Sequence, residues 1–153
     1  MTPFERITTQ VQAQIPLVRA MEAALGKEAA HRLVRDALDK ANREMVGQRG
    51  ALLDIPTLAS EFAGFGAGIR YEFETLEQTD TLLRNQVNHC DYAEFMEQIG
   101  ARDLGELLIC NSDFAMADEL GLKLERSKTC MNGDGQCDFC YHIKPERLES
   151  RSV

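Results

Sequence analysis

The stretch Ile69-Arg70-Tyr71-Glu72-Phe73-Glu74-Thr75 alternates apolar or aromatic residues with charged ones. Successive side chains on a strand point to opposite faces, so this period of two predicts a half-buried β-strand. The chain before it follows another period. Phe4, Ile7, Val11, Ile15 and Val18 recur at steps of three and four, the spacing of one helical stripe. Pro16 falls inside that pattern, so the first helix either kinks there or begins again with proline in its first turn. Gly26 is expected to end it. A second helix carries Leu33, Val34, Ala37, Leu38, Ala41 and Met45 on one face and stops near Gly47 to Gly50. A third, short helix is predicted from Asp54 as its cap, through Leu58, Phe62 and Phe65, to Gly66 and Gly68.

After Ile69–Thr75, Gln78-Thr79-Asp80 turns the chain and Leu83 to His89 is a weaker partner strand. Asp91-x-x-Glu94 has the form of a capping box opening a helix through Tyr92, Phe95, Met96 and Ile99. Asp103-x-x-Glu106 repeats that form for a helix through Leu104, Leu107, Leu108, Cys110 and Phe114 toward Gly121. Leu122 to Met131 and Cys137 to Ile143 are predicted as two more strands. They flank Asn132-Gly133-Asp134-Gly135, residues that tolerate the positive φ of a tight hairpin. The order is ααα-ββ-αα-ββ. Strands joined by short turns pair antiparallel, so the class is α+β, with N-terminal helices packed on a four-stranded antiparallel sheet. No internal repeat, low-complexity stretch or linker interrupts the chain, and one domain is expected over residues 1–153.

A chain of 153 residues buries roughly two thirds of its unfolded surface, so it needs neither a disulfide nor a structural metal to fold. The 17 Lys and Arg against 25 Asp and Glu give a net charge of −8. With no Lys/Arg-rich run, neither nucleic acid nor an anionic membrane is an expected partner. No run of about 18 apolar residues is present to span a bilayer. Met1-Thr2-Pro3-Phe4-Glu5-Arg6 lacks the basic-then-apolar layout of a signal peptide. These features predict a soluble, cytoplasmic protein.

Four of the five cysteines, Cys110, Cys130, Cys137 and Cys140, fall in the last third of the chain. In a reducing compartment such thiols are buried small hydrophobes, reactive groups or metal ligands. Cys137-x-x-Cys140 suggests zinc, yet a ribbon-type site needs a second CxxC or a His pair, and on a strand these two thiols point to opposite faces. A thioredoxin-like dithiol needs the CxxC at a helix start in a βαβ unit, and a hairpin is the wrong place. The third reading is a pocket. Cys137 stands at the mouth of a turn rich in N–H donors, which lowers a thiol pKa and makes it nucleophilic. Asp138 and His142 share the other strand face. A Gly133-Asp134 loop places Cys130 across from Cys137, whereas an Asp134-Gly135 loop places Asn132 there, and both registers stay open. Upstream, Cys110 and Asp113 are three apart on one helical face beside Phe114. An Asp on an apolar face is costly without partners, and the alternative is an Asp at a helix end pointing to solvent. His89-Cys90 ends the second strand before a capped helix, where side chains often face a cleft. His31 lies among charges and reads as solvated.

Cys90, Cys110 with Asp113, Arg126, Thr129 and the run Gly133-Asp134-Gly135-Gln136-Cys137-Asp138-Phe139 resemble the pattern of the L-2-amino-thiazoline-4-carboxylic acid hydrolase family. Its members are small α+β proteins that end in a T-x-x-x-G-x-x-x-C-D-F strand pair. The resemblance covers residues 85–143 by motif and the helical first half by layout. The same ending is similar to 4-vinyl reductase-type ligand-binding domains, which resemble transport-particle subunits in architecture and imply ligand binding without chemistry.

The first resemblance implies hydrolysis of a carbon–nitrogen bond in a small cyclic amidine or amide. Its named substrate is a thiazoline with an amino group and a carboxylate, opened toward a carbamoyl-cysteine. Under it, Cys137 is the expected nucleophile with Cys110 its rival, Asp113 a general base or amidine anchor, and His89 a proton carrier. Arg126 is expected to hold a substrate carboxylate through two N–H donors, with Cys90, Thr129 and Asp138 completing the substrate site. Cys90, Cys110 and Cys137 should line one pocket. Cys130 and Cys140 fall outside the pattern. The expected partner is a small molecule, no cofactor or metal is expected, and self-association into a homo-oligomer is left open. The second resemblance keeps open a non-catalytic, sensor-type binding domain.

Overall fold

The computed structural model describes residues 1–149, so the last four residues of the expected domain lie outside it. Helix α1 (Pro3–Leu25) opens on a capping box. Thr2 accepts the Glu5 amide while the Glu5 side chain accepts the Thr2 amide. Pro16 sits within α1 without ending it, and Gly26, at φ 83°, both stops α1 and precedes α2 (Lys27–Gly47). Helix α3 (Ile55–Phe65) starts where Asp54 accepts the Thr57 amide, as its sequence predicts. Strands β1 (Tyr71–Gln78) and β2 (Leu82–Cys90) then lead to α4 (Asp91–Gln98). A 3₁₀ turn (Arg102–Leu104) and a π-helical turn (Glu106–Cys110) follow, then α5 (Ser112–Glu119), β3 (Leu122–Glu125), β4 (Cys137–Ile143) and a short α6 (Pro145–Glu149). The four strands form one antiparallel sheet in the order β1-β2-β4-β3. The α+β class and the ααα-ββ-αα-ββ order are present, with α6 added. Among the described residues no helix is long and apolar enough to cross a membrane.

Two apolar cores flank one seam. The inner sheet face, with Leu83, Val87, Phe139 and Tyr141, packs on α3 and α5 around Phe62, whose ring meets Phe139 edge-on at 4.9 Å. The second core joins α1 and α4 to the 3₁₀ and π turns through Val11, Tyr92, Met96 and Leu104. Cys90 and Cys130 touch both cores.

Four local expectations are corrected. The face of α2 is rotated: Ala30 and Val46 are buried, whereas Leu33 and Met45 stay 52% and 51% exposed. Asp91 caps nothing within α4, because its carboxylate accepts the Arg70 amide at 2.8 Å and meets His89 at 3.0 Å. The single helix expected from Asp103 to Gly121 is broken into three pieces. Its proposed cap partners bind elsewhere: Asp103 pairs with Arg19 and Glu106 accepts from Thr129. Finally, β3 ends at Glu125 instead of Met131, so residues 126–136 form a folded loop and neither hairpin register exists.

Candidate active site

The seam between the two cores encloses a cavity of about 270 Å³, roofed by α1 and α2 and walled by the π turn, the end of β2 and the start of β4. Six of the residues singled out in the sequence line it: Cys90, Cys110, Asp113, Arg126, Thr129 and Cys137. The three thiols expected in one pocket are therefore together. His89 and Asp138 are not among the lining residues.

Two irregularities in the backbone bring the lining together. The first is a β-bulge. Glu72 pairs with His89, but Phe73 pairs with Val87, so Asn88 is an extra residue in β2. Leu83, Asn85 and Val87 face inward, and strict alternation would turn His89 inward next. The extra residue resets the phase, so Cys90, opposite Tyr71, reaches the cavity instead. His89 bonds Asp91 at 3.0 Å and lines a separate groove with Asn88 and Glu94.

The second irregularity is the π turn, where the Asn111 amide reaches back five residues to the Glu106 carbonyl at 2.8 Å. The Phe114 amide bonds Asn111 rather than Cys110, leaving the Cys110 carbonyl for a side chain. Arg126 takes it, donating to that carbonyl at 3.0 Å and to Asp113 Oδ2 at 2.7 Å. Its guanidinium lies 4.9 Å from the Phe114 ring centroid and 5.0 Å from that of Phe139, a cation held between two π faces. The Arg126 side chain is only 3% exposed. Asp113 lies deep in the protein yet keeps 32% of its side-chain surface accessible, because it lines the cavity. Burial pushes its carboxyl above the usual range, against the pull of the Arg126 charge.

Cys137 is buried, and its sulfur accepts the Cys130 amide at 3.2 Å. The Cys130 side chain, whose thiol donates to the Val87 carbonyl at 3.7 Å, also interacts with this sulfur, and that interaction, with the amide and the nearby Arg126 charge, holds the Cys137 thiol below its ordinary value despite burial. The other four thiols shift upward. Interaction with Cys137 raises Cys130, burial pushes Cys90 up to about 11, and burial also raises Cys110 and Cys140. Cys137 is thus the thiol most readily ionised, and a carboxyl held toward its protonated form lines the same space. One shift favours the thiolate and the other the protonated carboxyl, which suits a nucleophile and a proton donor in the same space.

The loop over residues 126–136 is built by side chains. Asp138 accepts the amides of Ser127 and Lys128 and the Ser127 hydroxyl at 2.5–2.9 Å. Thr129 donates to Glu106 at 2.6 Å and accepts the Asn132 amide, while its own amide donates to Asp134. Arg102 donates to the carbonyls of Cys130 and Met131. Gly105 lets Met131 pack closely, since a Cβ there would fall 2.1 Å from the Met131 sulfur. These contacts carry Cys130 onto Cys137 without strand pairing.

Sequence reasoning missed Arg6 and Arg35. They line the cavity from α1 and α2, and among the described residues neither guanidinium has a side-chain partner. Their only signal in the sequence was two cations on helices read for their apolar stripes.

Residues 5–141 match the family described as L-2-amino-thiazoline-4-carboxylic acid hydrolase. No curated protein matches the chain.

Proposed function

The chain belongs to the L-2-amino-thiazoline-4-carboxylic acid hydrolase family, and on that premise we propose that it opens a carbon–nitrogen bond of a small cyclic amidine or amide, such as that thiazoline, through Cys137. The observation that carries this reading is the Cys137 sulfur, bonded by the Cys130 amide at 3.2 Å, on the wall of the cavity that Asp113 also lines.

The chemistry balances with one water. The Cys137 thiolate adds to the ring carbon between sulfur and nitrogen, and the ring C–N bond breaks as the nitrogen takes a proton from Asp113. Burial favours the protonated Asp113 needed for that step. Water then adds to the enzyme-bound carbon and gives one proton back to Asp113. As the carbonyl forms, the second proton of the water passes to the freed nitrogen, Cys137 leaves as thiolate, and a carbamoyl group stays on the substrate sulfur. Arg126 keeps Asp113 in place and is itself held by the Cys110 carbonyl and two rings. The substrate carboxylate, expected at Arg126, falls instead to Arg6 and Arg35 at the roof, because the Arg126 donors are engaged by Asp113 and the Cys110 carbonyl, whereas among the described residues these two guanidinia have no side-chain partner.

The test is turnover of L-2-amino-thiazoline-4-carboxylate, followed by mass spectrometry of the product. The native chain should form a carbamoyl-cysteine. Asp113→Asn should lose a factor of about 10² to 10⁴. Absence of turnover by the native chain would remove the reading.

A further inference from the structure

The same alternation that turns Cys137 into the cavity turns Cys140 away from it, onto the outer face of β4 with Asp138 and His142. On that face Cys140 Sγ lies 3.3 Å from His142 Nε2. The register sets Glu125 of β3 directly across from Cys140, and Glu125 Oε2 lies 3.8 Å from His142 Nε2. The three donor atoms all fall within 4.8 Å of one another. A tetrahedral zinc, with bonds of about 2.3 Å to sulfur and 2.0 Å to nitrogen, holds those two ligands about 3.5 Å apart. The present spacing is within a few tenths of an ångström of that requirement.

We propose that Cys140, His142 and Glu125 form a binding site for a borderline-soft divalent cation, zinc foremost, on the outer face of the sheet.

The neighbouring cations leave the site usable. Lys123 pairs with the other carboxylate oxygen, Glu125 Oε1, at 3.3 Å, so Oε2 keeps its lone pairs for the metal. Arg84 stands across from Cys140 on β2, but its guanidinium pairs with Glu77 at 3.7 Å. Thiolate, imidazole and carboxylate together select zinc over magnesium or calcium, which prefer oxygen alone. The cluster of His89, Asp91 and Glu94 offers no sulfur, and its Asp91 is already engaged by the Arg70 amide and His89. Three protein ligands leave a fourth position for water. The ion would tie the four-residue edge strand β3 to β4 at Glu125, the residue before Arg126, and so brace the strand end from which Arg126 reaches the cavity.

The test titrates the full chain with cobalt(II), a spectroscopic stand-in for zinc. The expected result is a thiolate-to-cobalt charge-transfer band that saturates at one equivalent and is displaced by zinc. Cys140→Ser and His142→Ala should each abolish the band, and Cys137→Ser should keep it. Zinc should raise the melting temperature of the native chain but not that of His142→Ala. His142 is partly exposed, so this variant leaves the core untouched. No band in excess cobalt overturns the proposal. A band that survives both Cys140→Ser and His142→Ala does the same, as does one lost with Cys137→Ser, which would place the ion at the cavity thiols. None of these readings depends on turnover.

Discussion

The backbone amide of Cys130 donates to the sulfur of Cys137 at 3.2 Å, although the two residues share no strand ladder. The bond exists because Thr129, Arg102 and Asp138 fold the intervening loop back on β4. With the Cys130 side chain interacting beside it, this bond favours the thiolate of Cys137.

Iodoacetamide at neutral pH should therefore label Cys137 faster than Cys90 or Cys110, and the rate should rise with pH through a midpoint below that of an ordinary thiol. Cys130→Ala removes the neighbouring side chain's interaction but keeps the amide, and should move the midpoint upward. Cys130→Ser keeps a polar side chain there and should restore it. Peptide mass mapping of the labelled chain over a pH series reads all three. Equal labelling of Cys90 and Cys137 would contradict the assignment.

Arg126→Ala should destabilise the fold by about 3 kcal/mol, because it leaves the deeply placed Asp113 carboxyl and the Cys110 carbonyl without their donor and deletes a side chain packed between Phe114 and Phe139. Arg126→Lys keeps the charge but loses the planar fork, and should recover only part of that loss. Urea unfolding at pH 7 measures both; a change under about 0.5 kcal/mol for the alanine variant would be that of an ordinary surface site.

Asp138→Asn should cost about 1–2 kcal/mol at pH 7, since the carboxylate accepts three hydrogen bonds at the loop. Those bonds hold its carboxyl below the usual range against the effect of burial. A group depressed in the folded state contributes stability above its unfolded pKa, about 3.9, and loses it as pH falls through the folded value. The gap between native and variant stability should thus be widest near neutrality and shrink below about pH 4. A gap constant from pH 7 to pH 3 would show that the charge of Asp138 has no part in it.

Arg6→Gln and Arg35→Gln, at residues that line the cavity roof, should raise KM for the thiazoline carboxylate while leaving KM for its neutral carboxamide unchanged, the result the proposed carboxylate contact requires. Steady-state kinetics on the two substrates separates this from a general loss of fold, which would affect both. If both variants keep the native KM for the carboxylate, that group binds elsewhere.

Much of the architecture was legible in the sequence. The alternation at Ile69–Thr75, the Asp54 cap and the Gly26 stop are local signals, and the structure keeps them. What was hidden depends on partners distant in the chain. Asp103 and Glu106 have the spacing of a cap, but Arg19 and Thr129, 84 and 23 residues away, claim them, and the backbone relaxes into 3₁₀ and π turns. Asn132-Gly133-Asp134-Gly135 has hairpin chemistry, yet Asp138 and Thr129 bind the loop amides that strand pairing would have used. At His89-Cys90 the reading from the resemblance and the strand end places Cys90 in the pocket, although alternation along β2 by itself would turn His89 inward. The bulge at Asn88, set by pairing with β1, is what brings Cys90 there.

The measurement closest to the centre of this account is turnover of L-2-amino-thiazoline-4-carboxylate by Cys137→Ser, compared with the native chain at equal folded concentration. A serine hydroxyl nearly reproduces the shape of the thiol but is hardly ionised at neutral pH. With Cys137 as nucleophile, kcat should fall by a factor of about 10² or more, as expected when a chemical group acting in the reaction is lost. Near-native turnover by Cys137→Ser would contradict it and leave the attack to water or to another thiol of the cavity.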